Sequence, residues 1–272
     1  PAIRGNPQTA QTLALVALVI SALGIATSGI FVRLSETGPT ATGFWRGAIA
    51  LPFLALWAWQ DWRADRRPPL IEWSRFVNAV FWAGLFFAGD LLLWHWSLIM
   101  TSVAVSTLEA NMAPIVVTLI AWLLYRERPR PLFLLALVIS MVGVVLMVSP
   151  NLGEGGGDIR GDVLGIGTAF FYAGYLVVIS KLRSGFGTGL VMFFRTLVFT
   201  LALLPIALMQ PFAPQTLQGW AIVAGLALCA QVIGQSSIAY ALAHLPATLA
   251  EAYRGAARKF GASGLGMDID AE

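Results

Sequence analysis

The stretch VNAVFWAGLFFAGDLLLWHWSLI, Val77–Ile99, holds one acid, Asp90, and one histidine in 23 residues. As a helix rising 1.5 Å per residue it reaches about 35 Å, enough to cross a hydrocarbon core about 30 Å thick. A lone strand there would leave its backbone groups unpaired in lipid, so the stretch is a membrane helix. Seven further apolar runs of spanning length flank it, at about 11–32, 42–60, 103–124, 131–149, 163–180, 188–210 and 217–241. The whole composition agrees: 272 residues are 58% hydrophobic and 11% charged, whereas soluble domains run at about 45–50% and about 25%. The fold class expected is an all-α polytopic helical bundle. A soluble enzyme, a nucleic-acid-binding domain and a disordered tail are excluded. The net charge of +3 is too small and too dispersed to argue for nucleic acid. The lone cysteine, Cys229, lies in an apolar run, so no disulfide forms within the chain.

The first run follows Arg4, but it is long and lacks a small-residue cleavage site, so a retained helix is expected rather than a signal peptide. Basic residues in short loops set orientation. With the N-terminus inside, ten of them fall on the cytoplasmic side: Arg4, Arg63, Arg66, Arg67, Arg75, Arg126, Arg128, Arg130, Lys181 and Arg183. Only Arg33 and Arg160 fall outside. Trp57, Trp59, Trp62, Trp73 and Trp122 cluster at the cytoplasmic helix ends, where indoles anchor. An inner-membrane protein with a cytoplasmic N-terminus is expected.

The acidic, glycine-rich stretch Glu154-Gly155-Gly156-Gly157-Asp158 reads as a linker between two halves. A phosphate cradle would need a preceding strand and a following Lys-Ser/Thr, and neither is present. The halves repeat weakly. Thr42-Gly43-Phe44-Trp45-Arg46 matches Val191-Met192-Phe193-Phe194-Arg195 at an offset of 149, and Arg33 matches Lys181 at an offset of 148. Trp96-Ser97-Leu98 matches Tyr240-Ala241-Leu242 at an offset of 144. A unit of five spans enters from the opposite side when copied, so the repeat is inverted, a signature of alternating-access transporters.

These features resemble a known family. Small residues in span one (Ser21, Gly24, Ser28), the Arg opening span two, Thr101 to Thr107, Pro114 and Tyr125-Arg126-Glu127-Arg128 are similar to the drug/metabolite transporter superfamily, EamA type. The resemblance covers roughly residues 11–250 and leans toward bacterial YddG-type exporters of aromatic amino acids. It implies two five-helix units: residues 11–149, a linker over 150–162, and an incomplete second unit over 163–250. Residues 251–272 depart from the pattern. Arg258 stands where a proline would answer Pro114, and the tail is too polar to span. Eight spans are legible where the family has ten, so two are expected to be missing.

Ionisable groups inside a membrane default to functional candidates. Arg46 lies about a turn inside the outer end of span two, and Arg195 about two turns inside the cytoplasmic end of span seven. They would line the two mouths of a pathway and hold a carboxylate, or else snorkel to the nearer interface. Trp82, Phe86, Asp90, Trp94 and Ser97 recur at helical spacing on one face. Asp90 would bind an amino group or carry a proton, or make a structural bond to a neighbouring helix. His95 is offset from that face and reads as a packed histidine. Glu109 and Asn111 precede Pro114, whose missing N–H frees a carbonyl and bends the helix. They would face a cavity, or Glu109 would reach the outer surface. Tyr172, Tyr175, Gln231, Gln235 and Tyr240 combine aromatic and amide groups, as an amino-acid pocket requires. Gly165, Ala169 and Ala173 read as close helix packing. No catalytic set or metal-ligand spacing is present, so neither an enzyme nor a cofactor is expected. The expected partners are a small-molecule substrate and the lipid bilayer, with no nucleic acid, and a monomer is expected. The function expected is alternating-access export of small metabolites, amino acids first, with other metabolites or drugs second.

Overall fold

The computed structural model describes residues 7–65, 68–110, 158–182 and 186–244, with isolated positions between 112 and 142. Every regular element among them is helical: α1 (Pro7–Ala26), α2 (Ser28–Leu34), α3 (Pro39–Arg63), α4 (Trp73–Met100), α5 (Val103–Ala110), α6 (Ile159–Leu182), α7 (Thr188–Ala207), α8 (Leu217–Leu226) and α9 (Ser236–His244). A π-helical segment, Ala227–Gln235, joins α8 to α9 in one continuous rod. By length and apolarity four helices suffice to cross a bilayer: Trp73–Met100, Ile159–Ile179, Thr188–Ala207 and Leu217–Tyr240. The first expected span is divided at Thr27. There Thr27 Oγ1 donates to the Gly24 carbonyl at 2.8 Å and Ser28 Oγ to that of Ile25 at 2.5 Å, competing with the backbone ladder. The expected fifth span and the 251–272 tail lie outside the described residues.

Polarity is arranged inside out relative to a water-soluble bundle. Leu23 is 66% exposed, Leu56 61% and Leu201 57%, whereas Arg46 is 2% exposed and Arg195 0%. Lipid solvates the first set; the second must find partners within the protein.

Two antiparallel pairs build the centre. In the first, α3 runs against α7. Gly38 meets Gln210, Gly43 meets Leu203, Gly47 meets Phe199 and Thr200, and Gly189 meets Trp57. A Cβ on Gly47 would collide with Thr200 Oγ1, so the two backbones approach only because glycine stands there. Each helix caps the other. Asp61 Oδ2, near the end of α3, accepts from Gly189 N at 2.7 Å, and Gln210 Oε1, beyond the end of α7, accepts from Thr40 N at 3.0 Å. Both amides belong to first turns whose N–H groups lack intrahelical acceptors.

In the second pair α4 runs against α6, with Gly89 beneath Phe171, Gly174 beneath Phe86 and Gly167 beneath Leu93. The main core lies where α4, α6 and α7 meet, around Phe76, Phe87, Tyr175, Ile179 and Phe199. The rod of α8, the π segment and α9 packs on α1, where Gly24 touches the Cys229 carbonyl and Gly234. At the C-terminal end of α3, Arg63 lies 4.1 Å over the Trp59 ring.

Candidate functional site

Phe87 sits midway along α4, and two guanidiniums stand over its ring: Arg195 Cζ at 4.3 Å and Arg46 Cζ at 5.7 Å. This corrects the expectation that the two arginines mark opposite mouths. Each is the eighth residue of its own helix. Because α3 and α7 are antiparallel in the register above, the two fall only about six residues apart along the shared axis, or about 9 Å. Sequence distance from a helix end does not report what lies alongside.

The two arginines differ in how they are satisfied. Arg46 Nε donates to Gln231 Oε1 at 3.2 Å, and Gln231 Nε2 donates onward to Thr196 Oγ1 at 3.2 Å. Arg195 is wholly buried, and its Nε, Nη1 and Nη2 have no hydrogen-bond acceptor among the described residues. Its guanidinium also lies 5.0 Å from the Tyr175 ring and 5.9 Å from Phe199. Desolvated cation–π contacts contribute about 2 kcal/mol. An uncompensated buried charge costs about 3–5 kcal/mol. The three rings offset much of that cost, yet the guanidinium N–H groups are left without an acceptor among the described residues.

Asp90 is one helical turn from Phe87 on α4, 8% exposed, and feels the charges of both Arg46 and Arg195. It makes no hydrogen bond or ion pair among the described residues. Tyr175 OH donates to Gln235 Oε1 at 3.4 Å, and the Tyr172 ring lies 5.7 Å from that of Tyr175. Gln231 and Gln235 reach inward from the π segment, whose wider turn falls at this depth. Five helical rods thus contribute to one buried polar centre: two cations, one acid, two amides and an aromatic floor.

Other expected residues fall elsewhere. Trp82 is 49% exposed, its ring against Phe81 and Phe86, so it is corrected from a cavity residue to a surface one. Phe86 covers Gly174 on α6. Trp94 packs beside Val32, Leu98, Leu226 and Ala230, its indole N–H buried without an acceptor. Gly24 is closed off by the eighth rod, since a Cβ there would lie 2.5 Å from the Cys229 carbonyl; it serves packing rather than a cavity. Ser28 Oγ donates to the Ile25 carbonyl at the end of α1, whereas Ser21 is buried with its hydroxyl unpartnered among the described residues. Tyr240 is half-buried on α9, and Asn111 lies outside the described residues. His95 is fully buried, with Nδ1 2.9 Å from the Pro39 carbonyl. Glu109 is buried against Gly165, apart from the central group. Phe87, Thr196 and Phe199 were not singled out from the sequence. Only Thr196, polar and adjacent to Arg195 in an apolar span, left a signal there.

An inside-out helical bundle with a buried polar centre is the architecture of a multi-pass membrane protein. The EamA-like transporter family model matches residues 11–149 and 159–256. The chain belongs to that family. An "Uncharacterized transporter" of Archaeoglobus fulgidus is 30% identical over 213 residues, covering 76% of this chain and 70% of that protein. A solved crystal structure aligns with a TM-score of 0.61 at 17% identity, covering 97% of this chain and 91% of that one, a likeness of fold alone.

Proposed function

We propose that this membrane transporter exports small zwitterionic metabolites, amino acids first, across the inner membrane by alternating access. The observation that carries the reading is Arg195, a fully buried guanidinium with three nitrogens lacking acceptors among the described residues, in the same centre as an acid, Asp90, whose charge it feels. A substrate carboxylate answers the first and a substrate ammonium the second. Tyr172, Tyr175, Phe87 and Phe199 supply an apolar surround that favours neutral or aromatic side chains. A phosphorylated sugar would demand several basic groups, and among the described residues two stand at this centre.

The inverted repeat supports alternating access. Thr40 and Gly189 are 149 residues apart, and so are their capping partners Asp61 and Gln210. The same offset relates Arg46 to Arg195. Units of residues 11–149 and 163–250 joined by a linker, in a monomer with its N-terminus in the cytoplasm, complete the reading.

The test is counterflow of labelled amino acids in proteoliposomes. The reading expects at least one neutral or aromatic amino acid to exchange well above empty liposomes. A flat result across the whole panel would move the substrate to another metabolite class.

A further inference from the structure

A second group of unsatisfied oxygens lies near the outer ends of α4, α5 and α6, away from the arginines. Glu109 on α5 is 8% exposed, and its Oε2 has no partner. Ser106, one turn earlier on the same face, is fully buried with its hydroxyl unpartnered, and so is Ser97 on α4. Gly165 on α6 shows where the Glu109 and Ser97 oxygens converge. A Cβ there would collide with Glu109 Oε2 and lie 3.0 Å from Ser97 Oγ, so both oxygens face one point. Asp162 stands one turn before Gly165, with Oδ1 buried and unpartnered, and its charge acts on Glu109.

We propose that Glu109, Asp162, Ser97 and Ser106 form a binding site for one small monovalent cation, a proton or Na⁺, whose occupancy is linked to transport. All the donors are oxygens, the set that hard cations prefer. Two acidic side chains with unpartnered buried oxygens gathered on facing helices are a place that a bound cation would satisfy. Among the described residues α5 packs on α6, α4 and α2. From α4 the site meets Ser97, which does not titrate. From α6 it meets Asp162. From α2 comes Arg33, whose guanidinium donates to the Thr101 carbonyl instead of either acid. Two hydroxyls and two acidic side chains make a small oxygen set, and among the described residues no group of three or more His, Cys, Asp or Glu forms.

The linkage rests on the transporter reading, but the binding does not, so the experiment reads binding in purified protein without flux. In nanodiscs, thermal unfolding is followed while Na⁺ replaces choline at constant ionic strength. Infrared difference spectra over a pH titration follow the carboxylic acid C=O stretch in parallel. A Na⁺-specific rise in Tm, weakened about tenfold in apparent affinity by Ser97→Ala, identifies Na⁺, the size expected for one lost contact to a charge. A C=O band that titrates in the native protein, disappears in Glu109→Gln and shifts its midpoint in Asp162→Asn identifies the proton. Neither a Na⁺-specific rise nor a Glu109-dependent band overturns the site. Ser97→Ala removes no charge and keeps the Na⁺ arm decisive should Glu109→Gln fail to fold. Binding that persists while every amino acid fails in counterflow would sink the substrate reading alone.

Discussion

Arg195 is the residue on which the account turns. Its guanidinium rests on Phe87, Tyr175 and Phe199 without a hydrogen-bond acceptor. A purely structural role would let Arg195→Met keep transport, because an apolar chain of similar length fills the aromatic box at less desolvation cost. The account expects Arg195→Met to fold, to match or exceed the native thermal stability, and to lose counterflow by about tenfold or more, the loss of one charge-assisted contact. Arg195→Lys should fall between, since an ammonium cannot present the planar fork. Asp90→Asn should weaken flux while sparing stability. If Asp90→Asn left both the rate and its pH profile unchanged, the acid would have no part in recognition. Asp90, Gln231 and Gln235 were legible in the sequence because a charge or amide in an apolar helix must find a partner inside. Phe87 was not, because one phenylalanine among many in a lipid-facing composition carries no mark of the ring that two arginines share.

At the scale of elements, the reciprocal caps of α3 and α7 make a matched pair of tests. Asp61→Ala and Gln210→Ala should each lower stability by about 1 kcal/mol, the usual effect of losing a helix N-cap acceptor. Hydrogen exchange should quicken at Gly189 in the first variant and at Thr40 in the second. Equal exchange at both amides in either variant would contradict the pairing. A second cap lies outside the spans. The Glu36 carboxylate accepts from the Thr216 hydroxyl, from Thr216 N at 3.1 Å and from Gln215 N at 2.9 Å, at the start of α8. The Thr216 side chain first, then these amides, holds Glu36 below its ordinary value of 4.5. The charged form is therefore favoured in the fold, so its contribution is fully present above the ordinary value and lost as pH falls through the lowered one. The native protein and Glu36→Gln should differ in Tm near neutrality and converge in acid; a difference that grows in acid would reverse the sign. Helix positions were readable from apolar run lengths. The division at Thr27 was not, since it goes with local side-chain hydrogen bonds to the backbone, nor was the π segment, which lies where its rod meets α1 at Gly24 and Gly234.

Across the whole molecule, one principle orders the parts: apolar side chains face lipid, and Arg46, Arg195 and Asp90, which would be costly there, are gathered inside around Phe87. The sequence announced the membrane through composition and hinted at the repeat through Arg46 and Arg195, but it misjudged where they meet. Only the antiparallel crossing of α3 on α7 joins them over Phe87, beside an acid. The central claim is that this centre holds both ends of a zwitterion. The most direct test is competition in proteoliposome counterflow between a transported amino acid, its decarboxylated amine and its deaminated acid. The account predicts that the unlabelled amino acid competes fully and that each one-ended analogue competes about tenfold or more weakly, having lost one charge-assisted contact. An amine that competes as well as the parent amino acid would contradict it, because Arg195 would then have no carboxylate to hold.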